Sequence, residues 1–422
     1  MRNYLRYWTD MIRYALSGGA LYFAWLGVLL VLIGIGFAAY LVQLRAGLGV
    51  TNLSNQVSWG VYIANFTFLV GVAAAAVLLV VPTYVYHRKD IKEVVLIAEL
   101  MAASAIVMCL LFVTVDLGRP ERFLHLLPGF GHLNLPRSML AWDVVVLTGY
   151  LILNLHVPGY LLYKLYRGQT PAKSLYLPFV FLSIIWAVSI HTVTAFLYGG
   201  FGGRPFWNTA IMAPRFLVSA FASGPAILII VFMVIHKFTD VEVKDSIFKF
   251  LRRVVSITLP INFFLLGCEL FKEFYTGTTH AASAHYLFFG LHGKGMLRPY
   301  IWAGLFMGVS AMVIFWVPRL YNDRRWMIGG SVLCIFGVWI EKGMGLIIPG
   351  FIPTPTGDIV EYTPSAIEFL VSLGIWALGA FIFTVMARVA LAIQHGKLRA
   401  PDNWTKESET TGVEAAGPVE LA

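Results

Sequence analysis

Ten long apolar stretches, each bounded by charged residues or Gly/Pro clusters, divide the chain. They fall at about 19–43, 59–86, 94–115, 139–157, 175–198, 212–236, 251–271, 299–318, 327–348 and 365–393. Each matches or exceeds the length of roughly 20 residues that a helix needs to cross a bilayer. None shows the short alternation of barrel strands, and lipid leaves an open backbone only the helix as a way to satisfy its hydrogen bonds. The pattern predicts an all-α polytopic membrane protein with ten transmembrane helices. The first stretch is too long for a signal-peptide core and is expected to be the first span. On this reading residues 1–18 form an N-terminal cytoplasmic segment and 19–396 the ten-helix domain. Residues 397–422, with Glu407, Glu409, Glu414 and Glu420, form a disordered polar tail.

Composition narrows the picture. Of 422 residues, 59% are hydrophobic and 13% charged, with a mean hydropathy of +0.76. Soluble domains carry about 25% charged residues, so a water-soluble globule is excluded. The net charge of +9 lies in short loops, without the basic stripe that nucleic-acid binding needs. With the N-terminus inside, 21 Lys and Arg fall in inner segments and 9 in outer ones, Lys342 lying inside a span. That asymmetry predicts both termini in the cytoplasm (N-in/C-in). The three cysteines (Cys109, Cys268 and Cys334) each sit in an apolar run and no C-x-x-C occurs. Covalent haem, an iron–sulfur cluster or a zinc ribbon held by this chain alone is therefore not expected.

Several outer connections, 116–137, 198–214, 274–298 and 349–363, are long and rich in Gly, Pro and aromatics. Loops of that kind on one face of a helical bundle build a site or a docking surface. Met139-Leu-Ala-Trp-Asp143 and Pro299-Tyr-Ile-Trp-Ala303 faintly echo each other, each opening an outward-to-inward span.

An ionisable side chain in a span is a functional candidate by default. Asp116 ends the third span, Asp143 lies one turn into the fourth and His191 in the outer third of the fifth. Glu269 ends the seventh beside Lys272 and Glu273, Glu341 and Lys342 occupy the outer half of the ninth, and Glu368 opens the tenth. Asn65 lies a turn into the second, and Glu99 is the exception, in the inner part of the third. Such one-sided clustering is what a quinone site near the outer face requires: an apolar pocket open to lipid, with groups that bond the ring carbonyls and exchange protons. Asp143, after Trp142 and with His191 on the next helix, supplies such groups.

Structural roles stand beside these functional ones. Asp116 and Asp143 can staple to Arg119, Arg122 or Arg137; Glu341 can compensate Lys342; Glu269 can pair with Lys272. His191 can bond a neighbouring backbone, Glu368 can simply be wet, and the tryptophans serve as interface anchors. A haem between His156 and His236, at inner helix ends, is a further alternative.

The segment Asp116-Leu-Gly-Arg-Pro-Glu-Arg122, followed by Trp142-Asp143, resembles the NrfD/polysulfide reductase membrane-subunit family. Ile190-His-Thr-Val-Thr-Ala-Phe196, Trp339-Ile-Glu-Lys-Gly-Met-Gly345 and Ile348-Pro-Gly-Phe-Ile-Pro353 resemble its ten-helix branch, above all the DsrP type of sulfite-reduction-associated Dsr complexes. The resemblance covers roughly 15–395. It implies two four-helix bundles plus flanking helices in the cytoplasmic membrane, and exchangeable menaquinone as the cofactor, with no haem or iron–sulfur cluster in this chain. Implied partners are an extracytoplasmic ferredoxin-like iron–sulfur subunit (DsrO-like), a multihaem cytochrome c (DsrJ-like), a haem-b membrane subunit (DsrM-like) and a cytoplasmic iron–sulfur subunit (DsrK-like). Asp143 matches the family's quinone-site acid, with Trp142, His191, Asn65, Asp116 and Glu269 as companions. Glu99, Glu341 and Lys342 become candidates for a proton path, and Arg119, Arg122 and Arg137 for partner docking. Proton translocation by the same complex, or a haem-b membrane anchor, are the alternative functions.

Overall fold

Each apolar run forms a helix in the computed structural model, which describes residues 2–126, 129–275 and 277–401. Among the described residues ten helices are long and apolar enough to cross a membrane. They are α1 (Ala20–Ala46), α2 (Val61–Val85), α3 (Lys89–Asp116), α4 (Met139–Tyr166) and α5 (Lys173–Gly199). The rest are α6 (Met212–Phe238), α7 (Asp245–Tyr275), α8 (Arg298–Trp316), α9 (Arg324–Phe351) and α10 (Ala366–Gln394). Most ends extend a few residues past the apolar runs, because a helix continues through its polar ends after the hydrocarbon stops. The tail expected at 397–422 lies outside the described residues from 402 onward.

Helices α2 to α5 pack as one four-helix bundle and α6 to α9 as a second. The expected two-bundle architecture with flanking helices is what the packing forms. The seam between the bundles is made mainly by α2 against α6 and α9, and by α5 against α6. This central position explains the sequence of α2: every residue of Val61–Ala74 is buried, and the helix is apolar all round. It is not one regular helix. A turn at Ala75–Ala76 and a π turn at Val81–Val85, holding Pro82, interrupt its second half. A second π turn, Ile340–Met344, interrupts α9.

The first and last spans, α1 and α10, pair with each other, and α10 lies on α3. Their crossing is at Gly36 and Gly374, where a Cβ added to Gly36 would lie 2.5 Å from the Gly374 Cα. Only glycine lets two backbones approach so closely, and such approach supplies the packing that drives helix association in lipid.

The termini share one face: Lys397 pairs with Asp240 at 2.6 Å, Arg388 bonds the Ser17 carbonyl, and the Ala400 N–H donates to the Tyr166 carbonyl. We call this the terminal face and the opposite one the loop face. The long loops at the loop face are ordered against one another. Trp207 is buried, donates from Nε1 to the Leu346 carbonyl at 2.9 Å and packs on Phe351. Glu368 is fully buried rather than wet. It closes a capping box with Ser365 and accepts from the Asn52 N–H at 3.0 Å and from the Tyr362 hydroxyl. Burial, with the Glu368 carboxylate beside it, pushes the Tyr362 phenol far up and keeps it a donor.

Candidate functional site

Helix α4 begins at a Ser138 cap, whose hydroxyl accepts from the Ala141 N–H at 3.2 Å. One turn on, Asp143 points into the first bundle and is 1% exposed. Among the described residues it pairs with no arginine: its Oδ1 accepts from the Thr194 hydroxyl of α5 at 2.7 Å. His191, one turn before Thr194 on the same stripe, is equally buried, and its Nδ1 lies 3.2 Å from the Ala187 carbonyl. A carbonyl only accepts, so that bond places a proton on Nδ1 and leaves a lone pair on Nε2 in the neutral ring. Nε2 has no hydrogen-bond partner among the described residues. The stripe ends at Tyr198, 2.5 Å from the Thr67 hydroxyl of α2. Thr67 already donates to the Ile63 carbonyl, so Tyr198 is the donor. Trp59, Trp207 and Phe216 pack around the Tyr198 ring.

Across the seam, the π turn of α9 presents Glu341 and Lys342. Neighbouring residues on a helix diverge, and these two do. Glu341 takes Arg215 Nη2 at 2.6 Å on one oxygen and Asn262 Nδ2 at 2.7 Å on the other. Its counter-ion is therefore Arg215, in the first turn of α6. Lys342 turns instead along α6 toward the seam: its Nζ donates to the Phe216 carbonyl at 3.3 Å and stands 4.4 Å from the centre of that ring. A Cβ added to Gly71 of α2 would lie 3.3 Å from Nζ, so the ammonium is seated in the seam itself. An open crevice of about 250 Å³, lined by Met212, Arg215, Ser219 and Leu346, lies beside the pair.

Other sequence candidates lie apart from this centre. Asn65 Oδ1 accepts from the indoles of Trp339 at 2.9 Å and Trp376 at 3.3 Å, tying α2 to α9 and α10. Asp116 lies at the end of α3, and its Oδ1 has no partner among the described residues. Arg119 pairs with Glu121 at 3.4 Å rather than with Asp116. Glu269, on α7, accepts from Thr209, while Lys272 contacts Glu273 at 3.3 Å. Trp142 is 37% exposed and donates to the Pro136 carbonyl, an interface anchor on the lipid side of α4. Arg119, Arg122 and Arg137 are exposed at the loop face. Glu99 is buried in the terminal half of the first bundle, with Oε2 unpartnered among the described residues. His156 packs on Phe179, and among the described residues no group of three or more His, Cys, Asp or Glu is gathered to hold a metal ion.

Sequence reasoning misses Thr194, Tyr198, Arg215 and Asn262. Thr194 and Tyr198 follow His191 at i+3 and i+7, and Asn262 is an amide inside an apolar run, so each carries a visible signal. Pro214 and the preceding loop hide Arg215.

The chain is 26% identical over 379 residues to the Hdr-like menaquinol oxidoreductase integral membrane subunit of Archaeoglobus fulgidus, covering 86% of this chain and 92% of that protein. It is 26% identical over 413 residues to a protein of Halobacterium salinarum whose name assigns it to the membrane part of a dimethyl sulfoxide reductase, covering 87% and 90%. It is 23% identical over 391 residues to the menaquinone reductase integral membrane subunit of Nitratidesulfovibrio vulgaris, covering 86% and 90%. The family model "Polysulphide reductase, NrfD" matches residues 49–353, most of both bundles, and the chain belongs to that family.

Proposed function

We propose that this chain is the membrane subunit through which a multi-subunit redox complex exchanges electrons with menaquinone. The observation that carries the reading is the Asp143–Thr194–His191 group: a buried acid held by one hydroxyl, one turn from an imidazole nitrogen that has no partner among the described residues. Reducing a quinone takes two electrons and two protons, and oxidising the quinol returns them. With a quinol bound, His191 Nε2 would accept from a hydroxyl and Asp143 would take or give a proton, while Thr194 fixes the carboxyl's direction. The names of the relatives in Archaeoglobus fulgidus and Nitratidesulfovibrio vulgaris, a menaquinol oxidoreductase and a menaquinone reductase subunit, support menaquinone as the quinone.

Electrons leave or arrive through an iron–sulfur subunit on the loop face, with Arg119, Arg122 and Arg137 as its basic docking edge. In the finer form of the proposal the complex is of the Dsr type, in the cytoplasmic membrane with the loop face outward, and serves sulfite metabolism. Asp143→Asn tests the reading in the assembled complex. Quinol-dependent electron transfer is expected to fall at least 100-fold while the subunits still co-purify, as general acid–base groups contribute about 10²–10⁴-fold. Unchanged turnover removes Asp143 from the site.

One observation favours proton movement as an added role. Glu99 continues the α3 stripe of Lys92, Val95 and Leu96, which line an open pocket of about 540 Å³ near the terminal face. On this reading the pocket, one turn along α3 from the buried acid, is its way toward water.

A further inference from the structure

Ahead of α1 stands a helix, Arg2–Ala15, with three distinct sides. The first faces the protein. Tyr7 is buried, its ring 5.1 Å from those of Tyr163 and Tyr166 at the end of α4, and the Tyr166 hydroxyl donates to Asp10 at 2.7 Å. Two turns on, Tyr14 lies under the guanidinium of Arg388 from α10, 5.1 Å from the ring centre. The two anchors sit on different spans, so the helix runs across their ends and not along them.

The second side is Leu5, Trp8, Ile12 and Leu16, at i, i+3, i+7 and i+11. They form one stripe, exposed by 62%, 45%, 56% and 70%. The third side, about 100° round the axis at 3.6 residues per turn, carries Arg6 and Arg13, both exposed. None of the described residues covers the apolar stripe.

We propose that this helix lies in the plane of the bilayer surface. Its stripe is sunk at the boundary of headgroups and acyl chains, with Arg6 and Arg13 level with the lipid phosphates. Continuity of the surface carries the argument. Ser17-Gly18-Gly19 is the whole link between the last stripe residue and α1, and three residues reach only about 10 Å. Helix α1 then exposes Leu21, Trp25 and Val28 in its first turns, the flank of a membrane-spanning helix. The stripe is thus held at the depth where the first span enters the hydrocarbon. An apolar face with a basic flank and an indole at that depth matches a bilayer interface in both shape and charge.

The test places nitroxide labels on the full-length chain reconstituted in phosphatidylcholine–phosphatidylglycerol vesicles. Cys109 and Cys334 are buried and stay, while Cys268 is changed to serine. Labels at Leu5→Cys and Ile12→Cys are expected to relax faster with oxygen than with a water-soluble nickel chelate, at a depth of about 5–10 Å below the phosphates. A label at Arg13→Cys is expected to show the reverse preference. Nickel access at positions 5 and 12 equal to that at 13 would put the stripe in water and overturn the proposal. Shielding of 5 and 12 from both reagents would show protein on the stripe and would equally overturn it.

Discussion

The ion pair between Arg215 and Glu341 can be taken apart quantitatively. Their side chains are 14% and 7% exposed, and the carboxylate spends one oxygen on Arg215 and the other on Asn262. Arg215→Met removes the positive charge and keeps most of the volume, leaving a buried carboxylate with a single amide donor. Stranding one member of a buried pair costs about 3–5 kcal/mol. In the double variant Arg215→Met/Glu341→Met the uncompensated charge is gone, and replacing a whole pair with apolar groups is close to neutral. What remains is the amide of Asn262 without its acceptor, about 1–3 kcal/mol. The double variant is therefore expected to be more stable than the single one by about 2 kcal/mol. Thermal unfolding in detergent, followed with a thiol-reactive dye in a Cys268→Ser background, reads this directly, because Cys109 and Cys334 are 0% exposed until the bundles open. An Arg215→Met protein that melts with the parent, or a double variant as weak as the single, would refute the reasoning.

Three further outcomes follow from the geometry. Thr194→Val keeps the side-chain shape but removes the hydroxyl that holds Asp143. Hydrogen bonds to charged groups are worth about 1.5–3 kcal/mol, so quinol turnover is expected to drop about 10-fold or more without loss of assembly, read as turnover per assembled complex. Gly374→Ala puts a methyl against the backbone of α1 and is expected to destabilise the α1–α10 pair by about 1–3 kcal/mol, measured as a lower melting temperature. Glu99→Gln is expected to lower the number of protons moved per electron in vesicles while electron transfer itself continues; an unchanged ratio argues against the terminal-side pocket as a proton route.

Hydropathy made the ten spans legible to within a few residues, since lipid enforces the same rule on every one of them. Asp143 and His191 were legible for a related reason: a buried ionisable group in a span is costly enough to stand out. Their partners were not, because a hydroxyl or phenol one or two turns along a helix costs little and looks ordinary. Asn65 shows the other limit. Its oxygen is occupied by indoles 274 and 311 residues away in sequence, and only tertiary packing brings them there. The π turn at Ile340–Met344 escaped for the same reason, yet it is what sends Glu341 into the second bundle and Lys342 into the seam.

The glycine contact between Gly36 and Gly374 also bears on how the protein is made. Its two halves are separated by most of the sequence, so one is synthesised well before the other. At 5–20 residues per second, roughly 20 to 70 s pass between the two. During that interval α1 is held to α2 and α3 through Gln43 near its end, and the face that will meet α10 must be tolerated by lipid or sheltered by the insertion machinery. The α1–α10 pair therefore closes only after both bundles have been synthesised.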